Sequence, residues 1–534
     1  MANARISRIP LSNRQLSVAT LAAAALLMSV EYRQPAGAQG PAFVEPQVRR
    51  SANGLLQTVL EMKLARAVVA GRTIEVSTYE GVVPGPTLRI KPGDLLKFRL
   101  INNLTLPGGV PPAQHIVFAQ DVYERSMSMM RGMAHTLQEG HSAAPDPQEQ
   151  LYSNIHTHGL QVDASGNADN PFLLFKPGES FDYRIQVPPD QPAGFDWYHP
   201  HKHGSTAKQL WAGMTGGIIV EGDLDRLPFV AAAEEKVMIL NELWLDHNGH
   251  VPIGMPIPVA GHHGHAPFSS VPAIPSDTYY TINGVYQPTI TIRPGQTQRW
   301  RIVNGAPHRL YLLHLDGHTM YQIAQDGITF AAPRPEQTIL LAPGNRVEIM
   351  ILGGEPGEYK FRALEYDQGH PGGAMPEDIL GTLVSQGGRM RQAIPSRLIP
   401  PREVLGTTIA RRRTVRFRGT TLHAPVEFFL DDKVFDPDRD DQVVKVGTTE
   451  EWTLINEDVF QHPFHIHVNP FQVVEINGNR IADPVWWDTF ALPPKGTVKI
   501  LMHPRPDVTC RTVYHCHILP HEDNGMMSAF SLVK

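Results

Sequence analysis

The sequence predicts an all-β protein made of three consecutive Greek-key β-sandwich domains, and three observations lead there. Glycine and proline are abundant, 45 and 47 among 534 residues, which marks a turn-rich chain. The longest apolar run sits at the N-terminus rather than inside a would-be core helix. One strand-and-turn pattern also recurs three times, in a chain too long for a single core.

The repeat begins with Pro86-Thr87-Leu88-Arg89-Ile90-Lys91-Pro92-Gly93, returns as Pro288-Thr289-Ile290-Thr291-Ile292-Arg293-Pro294-Gly295, and returns again as Val443-Val444-Lys445-Val446-Gly447. Each copy is a short alternating strand ending in a turn glycine. A second alternating strand follows and closes on an asparagine nine positions after the glycine, at Asn102, Asn304 and Asn456. A strand, a glycine turn, a second strand and an asparagine turn read as one hairpin, so three copies mean three homologous sandwich units. The expected domains are 39–225, 226–400 with its linker, and 401–534; the Pro- and Arg-rich stretch from Arg389 to Arg413 leads into the third.

Residues 1–38 read as a secretory signal. Arg5, Arg8 and Arg14 precede an apolar stretch from Leu16 to Val30, and Ala36-Gly37-Ala38 offers a small-residue cleavage site. The alternative, an uncleaved anchor, needs a longer span than this stretch interrupted by Ser17, Thr20 and Ser29. The expectation is export to the periplasm or the extracellular space, with no membrane span in the mature chain. Four arginines and Glu31 leave with the signal, so the formal charge moves from −6 to −9. With no basic run, nucleic acid is excluded as a partner. Cys510 and Cys516 are too few for a disulfide framework, which leaves stability to apolar cores and bound metal.

Four short motifs carry the chemistry. His156-Thr157-His158-Gly159 and Trp197-Tyr198-His199-Pro200-His201 lie in the first unit. His462-Pro463-Phe464-His465-Ile466-His467 and His515-Cys516-His517-Ile518-Leu519-Pro520-His521-Glu522 lie in the third. On a strand, residues i and i+2 face one side, so each His-x-His presents two imidazoles to one cavity, and eight imidazoles can converge. The same parity turns Cys516 away from His515 and His517, so its thiolate serves a different metal. A thiolate with two imidazoles and a long thioether is the ligand set of a blue copper centre, and His462, Cys516, His521 and Met526 supply it.

In this order, the four motifs resemble the copper-binding motifs of the multicopper oxidases, the family of laccases, bilirubin oxidases and bacterial cuprous oxidases, over nearly the whole mature chain. The resemblance implies cupredoxin-like domains and four copper ions: one type 1, one type 2 and two type 3. Carried over by position, His462, Cys516, His521 and axial Met526 hold the type 1 copper, and His156 and His465 the type 2. One type 3 copper then takes His158, His199 and His517, and the other His201, His467 and His515. His203 fits only beside this set. The resemblance also implies the reaction: a reducing donor docks at His462, electrons pass from Cys516 to its neighbouring histidines, and dioxygen becomes water.

Dioxygen reduction consumes protons, and Glu522 matches the family's relay glutamate. Asp169, in Asp169-Asn170-Pro171, stands where the family has an acidic residue near the type 2 copper; a structural carboxylate is the other reading of both. An axial Met526 implies a lower potential than Leu or Phe would give. Asp488, in Trp486-Trp487-Asp488-Thr489, reads either as an orienting group or as part of a packed segment.

An insertion carrying Met127, Met129, Met130, Met133, His135 and His141 reads as a helix packing methionines into a lid or core, with a cuprous-ion site as the alternative. His247, His250, His262, His263 and His265 lie in a Gly/Pro-rich loop, read as solvated. Cys510 reads as a buried free thiol. The leading expectation is a laccase-like oxidase of phenols, aromatic amines or tetrapyrroles. The rivals are an oxidase of Cu(I), Fe(II) or Mn(II), and a copper-sequestering protein on the same scaffold, which would require missing ligands.

Overall fold

In the computed structural model, which describes residues 40–106, 109, 114–117, 119–138, 148–245, 278–370, 373–406, 408–419 and 428–534, strands dominate and fall into six sheets. Residues 48–220 supply two five-stranded sheets. Residues 234–385 supply a seven- and a five-stranded sheet, and residues 411–533 another such pair. The expected all-β class of three cupredoxin-like units is what is found.

The repeat, however, is not a hairpin. Gly85–Ile90 and Leu95–Asn103 lie in different sheets, as do Thr289–Ile292 and Thr297–Asn304, and Asp440–Lys445 and Glu450–Asn456. Each turn glycine adopts a positive φ (88° at Gly93, 72° at Gly295, 68° at Gly447), a left-handed conformation that carries the chain across the sandwich. Its N–H donates to a carbonyl of a distant segment: Pro188 for Gly93, Gly353 for Gly295 and Pro504 for Gly447. On either side of the crossing the strands pair in parallel with strands remote in sequence, Gly85–Ile90 with Gly216–Val220 and Leu95–Asn103 with Leu55–Val69. The other two units repeat this pairing. Local turn chemistry is the same for a hairpin and for a sheet crossing, and long-range pairing decides between them.

The repeated asparagine closes each crossing. Asn102 donates its amide to the carbonyls of Leu151 and Phe175, Asn304 to those of Arg309 and Leu341, and Asn456 to those of Phe460 and Leu492. In each case the side-chain oxygen accepts the N–H two residues on, from Leu104, Ala306 and Asp458. All three asparagines are buried, so every polar atom finds its partner inside the sandwich.

Strand alternation gives the cores. Leu96, Phe98 and Leu100 turn inward onto Phe181, Tyr183 and Ile185, in one apolar cluster that continues into the third unit's Trp452, Phe464 and Tyr514. The second unit keeps a separate cluster built on Trp300, Tyr311, Leu313 and Phe361. Each such side chain contributes about 1.5–3 kcal/mol on burial. First and third units are thus one packing entity, which puts their histidine strands face to face.

The methionine-bearing insertion forms the helix Ala119–Gln138, with Met127 and Met130 buried against Phe172, Phe435, Val513 and Met527. The side chains of Met133 and His135, all of His141, the signal segment and the histidine loop lie outside the described residues. Cys510 is a buried free thiol, pushed up to about 12 by its burial. No described helix is long and apolar enough to cross a membrane.

Candidate metal centre

The four motifs fold as two antiparallel strand pairs. His156–His158 pairs with Gly194–His199, placing His156 opposite His199. His462–Ile466 pairs with Arg511–Cys516, placing His465 opposite His515 and Phe464 opposite Cys516. Pairing plus alternation turns both partners of each His-x-His toward the opposing unit, and eight imidazoles meet in a buried chamber.

Within it the Nε2 atoms of His201, His467 and His515 lie 3.0–3.3 Å apart. His156 falls into tight groups with His158 and His199, and with His465 and His467. His517 stands at ring-centroid distances of 5.1 Å from His158 and 5.5 Å from His199, outside the tight groups. His156 and His465 are 5.8 Å apart by centroids.

Five of the eight histidines have one ring nitrogen held by a neighbouring oxygen, and in four of these the other nitrogen is left open. His156 Nδ1 meets Asp169 Oδ2 at 2.9 Å, His158 Nε2 meets Asp488 Oδ1 at 3.1 Å, and His199 Nδ1 meets the Pro200 carbonyl at 2.8 Å. His465 Nδ1 meets the Asp488 carbonyl at 2.8 Å. His515 Nδ1 meets the Cys516 carbonyl at 3.0 Å and Glu522 Oε2 at 3.2 Å. The opposite nitrogens, His156 Nε2, His158 Nδ1, His199 Nε2 and His465 Nε2, are buried without a hydrogen-bond partner. Leaving each unsatisfied costs about 1–3 kcal/mol, and metal ions would satisfy all of them at once. Burial also holds His158, His199, His201, His465, His467 and His515 well below the usual imidazole range, and His517 at about 3. Neutral rings with an open nitrogen are the metal-binding form.

On the other face of the His515–His517 strand, Cys516 Sγ lies 3.4 Å from His462 Nδ1 and 3.7 Å from His521 Nδ1, and the two nitrogens are 3.3 Å apart. The Cys516 N–H donates to the carbonyl of Met526, whose side chain is buried in the same apolar cluster. Burial pushes the Cys516 thiol up, so a thiolate exists there only with a cation against it. Phe428 stacks on His521 at 4.0 Å, and Phe460 stands edge-on to His462 at 4.9 Å.

His462 differs from its expected place at a solvent-side docking point. It is fully buried, and its Nε2 meets Asp458 Oδ2 at 2.8 Å. His370 of the second unit stacks on Phe460 at 4.8 Å, over the same region. Glu522 is buried beside His515, with Thr206 Oγ1 donating to it at 3.4 Å, and burial next to Asp523 raises its carboxyl well above the usual range. Asp169 has both oxygens engaged, the second accepting the Thr157 N–H at 2.7 Å. His203 is buried against Phe435, outside the groups.

Sequence reasoning passed over Asp458, His370, Asp523, and the group of Asp196, Asp326 and Arg346 around Asp488. Only Asp458, four residues before His462, carried a signal, since i+4 proximity to a ligand is readable.

Three family models described as multicopper oxidase match residues 149–225, 237–380 and 407–533. The multicopper oxidase mco of Staphylococcus aureus is 25% identical over 465 residues, spanning 85% of this chain and 83% of its own. A laccase of Bacillus stratosphericus is 24% identical over 491 residues, spanning 86% and 90%. The solved multicopper oxidase from Campylobacter jejuni, described as a metallo-oxidase, shares the fold with a TM-score of 0.72 at 21% identity, over 93% of this chain and 96% of that one.

Proposed function

This chain belongs to the multicopper oxidase family, an oxidoreductase of dioxygen and a reducing substrate, and we propose that it works as an exported laccase-like enzyme holding four copper ions. The observation that carries the reading is Cys516: its sulfur sits with His462 and His521 on one face of a strand whose two flanking histidines enter the eight-imidazole chamber on the other. In this reading His462, Cys516, His521 and Met526 hold the type 1 ion, and His156 and His465 the type 2. His158, His199 and His517 hold one type 3 ion, and His201, His467 and His515 the other. When bound, the ions supply one-electron oxidation at the first site and four-electron reduction of dioxygen to water in the chamber.

The chain's own residues set the conditions. The main chain of His515-Cys516-His517 is a short covalent route between two sites and keeps donor and dioxygen apart. Glu522, whose carboxyl is raised well above the usual range by burial next to Asp523, lies 3.2 Å from His515 Nδ1 and is placed to pass a proton to water beside the chamber. Asp169, with both oxygens engaged, orients His156 rather than shuttling protons. The N-terminal pattern supports export and cleavage near Gln39, and residues 39–534 form one compact unit. Three sheet pairs support the boundaries near 225 and 400.

The donors in this reading are phenols, aromatic amines or tetrapyrroles. One observation favours a second reading, a metal-ion oxidase: the outer nitrogen of buried His462 meets the Asp458 carboxylate, whose charge suits a small cation. Steady-state rates on a phenol and on Cu(I), Fe(II) and Mn(II), with and without added copper, separate the two. The laccase-like reading expects phenol turnover without added copper. Turnover of aromatic donors only when free copper is present, with rapid Cu(I) oxidation, overturns it.

A further inference from the structure

Among the described residues, no histidine group of the chamber includes a second-unit side chain, yet the second unit reaches the chamber at one built point. Arg346, which opens the strand Arg346–Leu352, is fully buried and uses all five guanidinium donors. Nη1 donates to Asp488 Oδ1 at 2.7 Å and to the Gly344 carbonyl at 3.1 Å. Nη2 donates to Asp488 Oδ2 at 2.6 Å and to Asp196 Oδ1 at 3.0 Å, and Nε to the Phe195 carbonyl at 3.2 Å. One side chain therefore ties the first, second and third units together.

The tie continues into the chamber. Asp488 Oδ1 meets His158 Nε2, and the Asp488 carbonyl meets His465 Nδ1. The backbone of Asp488 and Thr489 is itself fixed from the second unit: Asp326 accepts both their N–H groups at 3.2 and 3.3 Å, and Asn345 donates to the Thr489 carbonyl at 2.7 Å. Packing leaves no slack, since a methyl on Gly159 would overlap the Asp196 carboxylate and the Arg346 guanidinium.

We propose that Arg346 is a positioning residue: by forking onto Asp488, whose carboxylate meets His158 and whose carbonyl meets His465, it holds both rings with their open nitrogens inward, and so sets how firmly the type 2 position, through His465, and the adjoining type 3 position, through His158, keep their copper. The inference rests on the copper reading above. The two guanidinium bonds fix both oxygens of the Asp488 carboxylate, and removing them leaves a buried charge without its partner, free to turn away from the His158 ring. Three carboxylates, those of Asp196, Asp326 and Asp488, surround this one cation. A small cavity lined by Gly159, Asp196, Asp326, His465 and Asp488 adjoins this tie.

The test compares copper-loaded wild type with Arg346→Gln, Arg346→Lys and Asp196→Asn. It reads the type 2 paramagnetic resonance signal, the rate of copper loss to a chelator, and the blue thiolate absorption per chain. Arg346→Gln is expected to lose type 2 copper about 10- to 100-fold faster while keeping its blue absorption. Arg346→Lys falls between, because an ammonium cannot fork. Asp196→Asn keeps the signal, because both bonds to Asp488 remain. Wild-type signal and chelator rate in Arg346→Gln, or blue and type 2 signals falling together, overturns the inference. If Arg346→Gln does not fold, Arg346→Lys decides by the same readouts. Wild type without a type 2 signal defeats the copper reading instead.

Discussion

In the second unit Asn304 donates to the carbonyl of Leu341, whose strand partner is Tyr311; in the third, Asn456 donates to the carbonyl of Leu492, whose partner is His462. Following the register from these anchors, His314 stands opposite Arg362 as His465 stands opposite His515, and Leu313 stands opposite Ala363 as Phe464 stands opposite Cys516. Tyr311, His314, Arg362 and Ala363 thus occupy the places of His462, His465, His515 and Cys516. The first unit fits the same frame, with Phe175 partnering Ser153 and His156 opposite His199. One frame therefore supports three outcomes, and a histidine at one of its positions is not by itself a ligand.

Facing partner surfaces make the difference. His314 lies half-buried at the surface and meets the Gln337 carbonyl, while Arg362 pairs with Asp316 and Glu377. The corresponding positions of the first and third units are sealed against each other over a shared core, so their polar side chains must be satisfied by one another or by metal.

The largest expected effect breaks the contrast at its sharpest point. Cys516→Ala, which matches the second unit's Ala363, should abolish the blue absorption and lower turnover with every donor by at least about 1,000-fold, roughly 4 kcal/mol of barrier, while the type 2 signal survives. Sustained turnover would mean that electrons bypass Cys516. The paired substitutions His465→Ala and His314→Ala come next. Copper analysis should find the type 2 ion lost in the first and full copper in the second; equal losses would dissolve the distinction between the units. The smallest effects belong to the frame. Asn304→Ala and Asn456→Ala should each cost about 2 kcal/mol in denaturant unfolding, because each strands buried carbonyls. Only the second should also weaken the blue absorption, because its amide fixes Phe460 against His462.

Much of this was legible in the chain itself. The glycine and asparagine spacing marks the frame because both residues answer local demands, a positive φ and a short amide reaching two carbonyls. The His-x-His motifs are legible because strand parity is a local rule. The hairpin was a misreading because sheet pairing is not local: Gly85–Ile90 finds Gly216–Val220 across more than a hundred residues of chain. Arg346, Asp196 and Asp326 stayed hidden for the same reason, as single charged residues on three units with no spacing to connect them. The burial of His462 under Asp458 and the His370 loop depends on how the second unit lies over the third, which no motif encodes.

What the proposed function requires of the frame is a thiolate copper site wired to a histidine cluster. Copper content measured together with optical and paramagnetic resonance spectra of the purified chain tests it most directly. About four coppers per chain, an intense blue absorption and a separate type 2 signal are expected. About one copper per chain with the blue absorption alone would contradict it, leaving a protein able to pass electrons but not to reduce dioxygen.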